Sequence, residues 1–220
     1  MVIIKLTAMK GKVIQCNAKH AKAIEELRLI SYQHSTNFSI VDESGFASYI
    51  QWNRKDEEGT TLAIEEEGQL LATMRGNVYR SDEDLVTADE VFKNVQLAYP
   101  VLNMTIAATH PGAFKSGFNT VLRYYMYCLH QNTVEMILGK GAYFSSIYKT
   151  LFSVGYEFVA RQLSLTSLQS EQQTFFALLR KEKFQSAIDK IYENNKEVIN
   201  SYPLDTTTIS KTWLDTMAMS

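Results

Sequence analysis

The densest run of residues suited to chemistry is Thr109-His-Pro-Gly-Ala-Phe-Lys-Ser-Gly-Phe-Asn-Thr-Val-Leu122. Small residues that open a helix leave its first backbone N–H groups without intrahelical partners, and the helix dipole makes that end attractive to anions. The stretch therefore predicts a loop able to hold the oxygens of a phosphate or a pantetheine chain. The same glycines, Gly112 and Gly117, also suit a tight strand-to-helix turn that binds nothing. Within the loop, His110 can relay a proton, since an unperturbed imidazole titrates near ~6.5, although a histidine before Pro111 also suits a turn.

Other chemistries lack residues to carry them. Cys16 and Cys128 stand far apart with no second Cys or His pair nearby, so neither a disulfide framework nor a zinc spacing is visible. His20, His34 and His130 have no partner spacing for metal ligation, and no metal is expected. No Gly-x-Ser-x-Gly elbow, Walker loop or Cys-His-Asp set occurs, which argues against hydrolases and nucleotide triphosphatases.

The elements that must position the loop follow from hydrophobic period. Lys12 to Cys16 reads as a strand, and Asn17 can cap a helix carrying Ala21, Ile24, Leu27 and Ile30. A second helix is expected from Ser44 to Lys55, ending in the charged turn Lys55-Asp-Glu-Glu-Gly59. Thr61 to Glu65 and Gln69 to Gly76 form an antiparallel hairpin across Glu66-Glu67-Gly68. An acidic excursion follows, with a helical pattern through Val86, Val91, Phe92, Val95 and Leu97 that stops before Pro100. Val101 to Thr109 is then a central strand, Gly117 to Gln131 a long helix, Val134 to Leu138 a strand, Ala142 to Ser153 a helix and Gly155 to Val159 a strand. Glu171 to Asn200 reads as one or two helices, with Phe175, Phe176, Leu178 and Leu179 followed by Phe184, Ala187, Ile188 and Ile191; this tail can cap the domain, cover a tunnel or form a dimer face.

Composition bounds the partners. With 45% hydrophobic and 21% charged residues and three prolines in 220, the chain is globular rather than disordered. A formal net charge of −2 gives no global basic field, so nucleic acid is not the expected partner. The opening Met1 to Thr7 holds one short apolar patch broken by Lys5, too short for an export signal or a membrane span, and a reducing cytoplasm is expected.

The order helix, helix, hairpin, strand, loop, helix, strand, helix, strand resembles the GNAT acyltransferase superfamily, over about residues 12 to 160. That family's pyrophosphate loop, Arg/Gln-x-x-Gly-x-Gly/Ala, falls on Phe114-Lys-Ser-Gly117-Phe-Asn119; Gly117 matches, while Phe114 and Asn119 depart from it. Ala142 to Phe158 looks like the family's closing helix and strand, in which a late helical Tyr protonates the departing thiolate; Tyr148 takes that place. Glu26-Leu-Arg28-Leu-Ile-Ser-Tyr32 and Leu71-Ala-Thr-Met-Arg75 are similar to signatures of N-acyl amino acid synthases and acyl-homoserine-lactone synthases, which share the fold.

The resemblance implies an α/β fold with a mixed, mostly antiparallel central sheet flanked by helices. It implies an acyltransferase domain over residues 1–163, with residues 164–220 as a helical extension packed on it. The implied function is N-acyl transfer from an acyl carrier protein or acyl-CoA thioester to the amine of an amino acid or similar small molecule. Acetyl-CoA-dependent N-acetylation and a non-catalytic binding module are the alternatives. Tyr148 and His110 would act in the chemistry, and Lys115, Ser116, Gly117, Phe118 and Asn119 would meet the phosphopantetheine. Arg75 and Arg28 would bind the acceptor, since a guanidinium forks onto a carboxylate, although Arg75 can instead pair with Glu65, Glu66 or Glu67, and Arg28 with Glu25. Phe118, Tyr124, Tyr125 and Tyr127 either wall an acyl pocket or belong to the core. Lys115, Arg123, Lys140 and Lys149 would gather as a basic mouth for an acidic carrier.

Overall fold

The structure is a computed structural model that describes residues 10–34, 50–88, 95–142, 146–163 and 173–210. Seven strands form one sheet: β1 (Lys12–Gln15), β2 (Thr60–Glu66), β3 (Gln69–Tyr79), β4 (Val101–Thr109), β5 (Met136–Ala142), β6 (Glu157–Leu163) and β7 (Gln173–Arg180). Their order across the sheet is β1-β2-β3-β4-β5-β7-β6. Neighbours run antiparallel except β4 and β5, which are parallel. A parallel pair needs a crossover, and helix α4 (Phe118–His130) supplies it. Among the described residues the other α-helical elements named here are α1 (Ala21–Gln33), α2 (Arg54–Glu58), α3 (Asp82–Ala88), α5 (Ser146–Ser153) and α6 (Phe184–Ser201). The expected mixed, mostly antiparallel sheet with flanking helices is what forms.

Local sequence explains the elements around the site. The β2–β3 turn places Glu67 at φ 51° and Gly68 at φ 81°, the positive pair that lets a tight hairpin follow strand twist. Asn17 accepts from the Lys19 N–H just before α1, whose inner face buries Ile24, Leu27, Arg28 and Ser31 at helical spacing. On the opposite face of the sheet, α4 buries Val121, Leu122, Met126 and Leu129, and α6 packs Phe184, Ala187, Ile188 and Ile191 into the same cluster with Leu62, Ile64, Met74 and Leu102. Each of the larger side chains among these contributes about 1.5–3 kcal/mol by leaving water.

Several expectations fail at particular places. Residues 173–180 of the tail, expected to be helical, are not. Gln173–Arg180 is a strand inserted between β5 and β6, so the sheet is completed by residues beyond 163. Its near-continuous apolar run suits a strand buried on both faces: Phe175, Ala177 and Leu179 join the α4–α6 cluster, while Phe176 and Leu178 meet Leu85, Val101 and Met136. The tail Phe and Leu residues of β7 and the apolar face of α6 are therefore core.

The charged stretch expected to be a turn is helix α2, because Asn53 accepts from Lys55 N–H and Asp56 bonds back to Asn53 N–H, a reciprocal cap. Residues 44–49 of the expected second helix lie outside the described residues, as do Val91 and Phe92. Val95 and Leu97 are not helical, and Ala142 belongs to β5. Residues beyond α6 run beside β1, where Val13 N–H donates to Pro203 at 2.9 Å and Asp205 N–H to Val13 at 2.8 Å, covering that sheet edge.

Candidate active site

Strands β4 and β5 pair only at Val101–Met136, Leu102–Ile137 and Asn103–Leu138, then part. Where they part, β4 bulges. Thr73 faces Ala108 while Arg75 faces Thr105, so three steps on β4 span two on β3. Ile106 absorbs the extra residue at φ 48°, a left-handed conformation that is costly for a β-branched side chain. Two cavities take successive parts of this half of β4 into their walls. One, of about 580 Å³, takes Ala107 and Thr109 into its wall, and the other, of about 750 Å³, takes Asn103, Thr105 and Ile106.

The first cavity is built on the loop before α4 and includes Lys115, Ser116, Gly117, Phe118 and Asn119 in its lining. Gly117 sits at φ 83° as the residue before α4, a conformation glycine adopts without strain, and no side chain caps this helix. Lys115 is also left-handed, at φ 71°. Thr109 ties the parts together: its N–H donates to Ser31 Oγ on α1 at 3.0 Å, and its hydroxyl to Asn119 Oδ1 at 3.2 Å. The Ser116 hydroxyl donates to Ala113 within the loop at 2.6 Å. Phe118 turns its ring into the core, edge-on to Tyr202 at 5.0 Å, so it meets the cavity through its backbone.

His110 lies at the strand end, where Gly112 N–H donates to its Nδ1 at 3.2 Å. That bond engages the Nδ1 lone pair, and the neutral ring then carries its proton on Nε2. Tyr148 stands on α5, half-buried, with ring contacts to Phe152 at 4.6 Å and to Phe175 at 5.1 Å.

Arg28 and Arg75 come together, though not with the partners expected. Both guanidiniums take the carboxylate of Asp56. Arg28 donates through Nη1 to Oδ2 at 3.2 Å and through Nη2 to Oδ1; Arg75 donates through Nη1 to Oδ2 at 3.2 Å. Thr61 and the Asn53 N–H add bonds to the same carboxylate. Burial alone would raise the Asp56 pKa, but the hydrogen bonds and charge of Arg28, with the charge of Arg75, hold it below the usual carboxylate value. Two cations on one anion leave a unit of positive charge beside the second cavity, whose wall Arg75 forms. Arg75 also donates through Nε to Thr105 Oγ1 at 3.2 Å, which holds its fork against β4. Arg28 is wholly buried, behind that wall. Glu25, which helix spacing offered as an alternative partner for Arg28, accepts instead from Trp52 N–H at 2.9 Å.

The aromatic and basic groupings divide differently. Phe118 and Tyr127 are core, and Tyr124 and Tyr125 pack against it. Arg123 is buried on α4, beside the Tyr127 and Tyr156 hydroxyls, so it is no part of a surface mouth. Lys115 and Lys140 border different cavities. Sequence reasoning missed Asp56 and Asn103. The reciprocal pattern Asn53-x-x-Asp56 was the available signal for a helix start and a fixed carboxylate; Asn103 carries none.

No family model and no curated protein sequence matches the chain. Solved structures do match it in fold. A polyamine N-acetyltransferase from Drosophila melanogaster, which forms N-acetylagmatine, superposes with a TM-score of 0.57 at 12% identity, over 77% of this chain and 99% of that one. A Salmonella typhimurium protein proposed to be an acetyltransferase, solved with its cofactor acetyl-CoA, gives 0.55 at 14%, over 78% and 94%. The ribosomal-protein-alanine N-acetyltransferase of Brucella melitensis gives 0.54 at 12%, over 76% and 98%. The architecture is thus the GNAT fold.

Proposed function

We propose that the chain is an N-acyltransferase that moves an acyl group from a thioester to the amine of a small acceptor bearing a carboxylate. The observation that carries this reading is that two chemically different cavities border the bulged half of β4, one taking Ala107 and the other Ile106 into its wall. The uncapped start of α4 and the loop at Lys115 to Asn119 suit the phosphopantetheine of a donor in the first cavity. Arg75, backed by the net positive Arg28–Asp56–Arg75 group, suits a carboxylate in the second. In the reaction the acceptor nitrogen bonds to the acyl carbon and the carbon–sulfur bond breaks. Tyr148 gives its proton to the departing sulfur and regains one, through water, from the nitrogen. Positioning supplies much of the rate when a reactive amine is held against a thioester.

An acyl carrier protein is the donor that the departures at Phe114 and Asn119 favour, and Lys115 would meet its acidic surface. Acetyl-CoA is the second reading, supported by the acetyl-CoA-bound structure that shares the fold. The acceptor separates this chain from the polyamine enzymes of that fold. Arg54, Lys55, Arg75 and Lys140 line the second cavity against the single carboxylate of Glu58, a wall that repels a polycation.

The test offers the purified chain matched acetyl and long-chain thioesters, on CoA and on carrier protein, with amino acids, their amides, agmatine and spermidine, and reads products by mass spectrometry. N-acylated acids are expected and acylated polyamines are not; polyamine products at comparable rates would sink the reading. Arg75→Lys keeps a charge beside Asp56 but loses the fork. It should raise the Michaelis constant for acids by about tenfold to a hundredfold, from the ~1.5–3 kcal/mol of a charged hydrogen bond, and leave that for amides nearly unchanged.

A further inference from the structure

Asn103 lies on β4 at the last position where β4 and β5 pair, and its side chain lines the second cavity beside Arg75 and Thr105. It is 4% exposed, yet its carboxamide makes no hydrogen bond to any described residue. Directly across the strand pair stands Asn77, also buried, whose Nδ2 donates to the Lys55 carbonyl at 2.8 Å while its Oδ1 is without a partner among the described residues. Buried amides are nearly always bonded, and Asn103, unlike the sealed Asn77 Oδ1, keeps its polar atoms open to the cavity. An unbonded carboxamide facing a cavity is therefore complementary to a ligand that both donates and accepts.

The acceptor's ionic groups are already matched elsewhere. Its carboxylate belongs with Arg75 and the surrounding cations, and its amine must keep its lone pair for the acyl carbon. What Asn103 fits is a third group: neutral, polar, and able to give and take a hydrogen bond.

We infer that Asn103 is a specificity-determining residue that selects acceptors carrying a hydroxyl or carboxamide, such as threonine, serine, asparagine or glutamine, over apolar amino acids of the same shape. The inference rests on the second cavity being the acceptor site, as proposed above. The physical warrant is asymmetric: a site built to hydrogen-bond a substrate group rejects the isostere lacking it strongly, because its own polar atoms are then left unpaired. An apolar pocket, by contrast, discriminates weakly between such isosteres.

The test is calorimetric titration of the full chain with the near-isosteric pairs asparagine and leucine, and threonine and valine, without any acyl donor. At least one polar member should bind tenfold or more tightly than its apolar partner. Asn103→Leu should remove or reverse that preference, and Asn103→Ser should retain part of it. Equal or tighter binding of the apolar members to the unaltered chain, or no binding by any polar member, overturns the inference, and neither observation depends on a variant folding. The acyltransferase reading fails separately. If polar amino acids bind through Asn103 but no thioester donor acylates them, transfer is wrong and the specificity stands; acylation of leucine in preference to asparagine preserves transfer and removes the role of Asn103.

Discussion

Arg28 on α1 and Asp56 on α2 meet as a guanidinium fork on a carboxylate, with both side chains wholly withdrawn from solvent. The pair fastens α1 to the short helix ahead of the hairpin. Through the other contact of the same carboxylate it also holds Arg75 at the cavity wall. A single anion thus sets both the packing of one face of the sheet and the charge of the candidate acceptor site.

Replacing Asp56 with Asn keeps the size of the side chain but leaves two buried guanidiniums facing each other without a counterion. Breaking a buried pair from one side costs about 3–5 kcal/mol, and that loss is expected in urea unfolding at neutral pH. Because the folded Asp56 pKa lies below its unfolded value, the carboxylate's contribution is present above the unfolded pKa and fades as pH falls through the folded one. The variant should therefore approach the unaltered protein in stability toward strong acid. A loss under ~1 kcal/mol at pH 7 would show that the cluster does not hold α1 and α2 in place.

The partner of those arginines shows where sequence reasoning stopped. Val101 to Thr109, the β2–β3 hairpin and the α4 face were legible because period and turn chemistry are local properties. The identity of an arginine's partner is not local: Asp56 lies 28 positions from Arg28 and 19 from Arg75. The nearer acids Glu25 and Glu65 to Glu67 were the only ones that helix and hairpin spacing could offer. Residues 173–180 were misread for a different reason. Phe175, Phe176, Leu178 and Leu179 fill both faces of a central strand, and a continuous apolar run has no period to distinguish strand from helix. Nothing in the composition of β4 marks Asn103 either, since its meaning comes from the parting of β4 and β5 beside it.

His130, in the last turn of α4, is fully buried with Nε2 3.1 Å from Thr60 Oγ1, and burial pushes its pKa down to about 3. An unfolded histidine titrates near ~6.5, so between these values the unfolded chain holds a proton that the folded one does not. Stability from this residue is complete above pH ~6.5 and is lost as pH falls from there toward ~3, by up to about 1.4 kcal/mol per pH unit. His130→Gln, which retains an amide able to reach Thr60, should flatten the dependence between pH 6.5 and 5, a window above the range where Asp56 titrates. Denaturant titrations at several pH values measure it; equal slopes for the two proteins would mean that His130 does not remain neutral in the fold.

Tyr148 offers a separation of packing from chemistry. Its ring rests on Phe152 and Phe175, and Phe at position 148 keeps both contacts while removing only the hydroxyl. Stability should change by less than ~1 kcal/mol and donor affinity should hold, whereas turnover should fall roughly tenfold to a thousandfold, the range for loss of a general acid. A purely structural defect would slow every donor alike. Loss of a proton donor would not: an aryl thioester releases a thiolate stable enough to leave unprotonated, so the deficit of Tyr148→Phe should shrink with such a donor and be largest with an alkyl thioester. Single-turnover rates on both donors, with acceptor saturating, make the comparison. Turnover unchanged on the alkyl thioester removes Tyr148 from the mechanism, and an equal deficit on both donors assigns it to positioning instead of proton transfer.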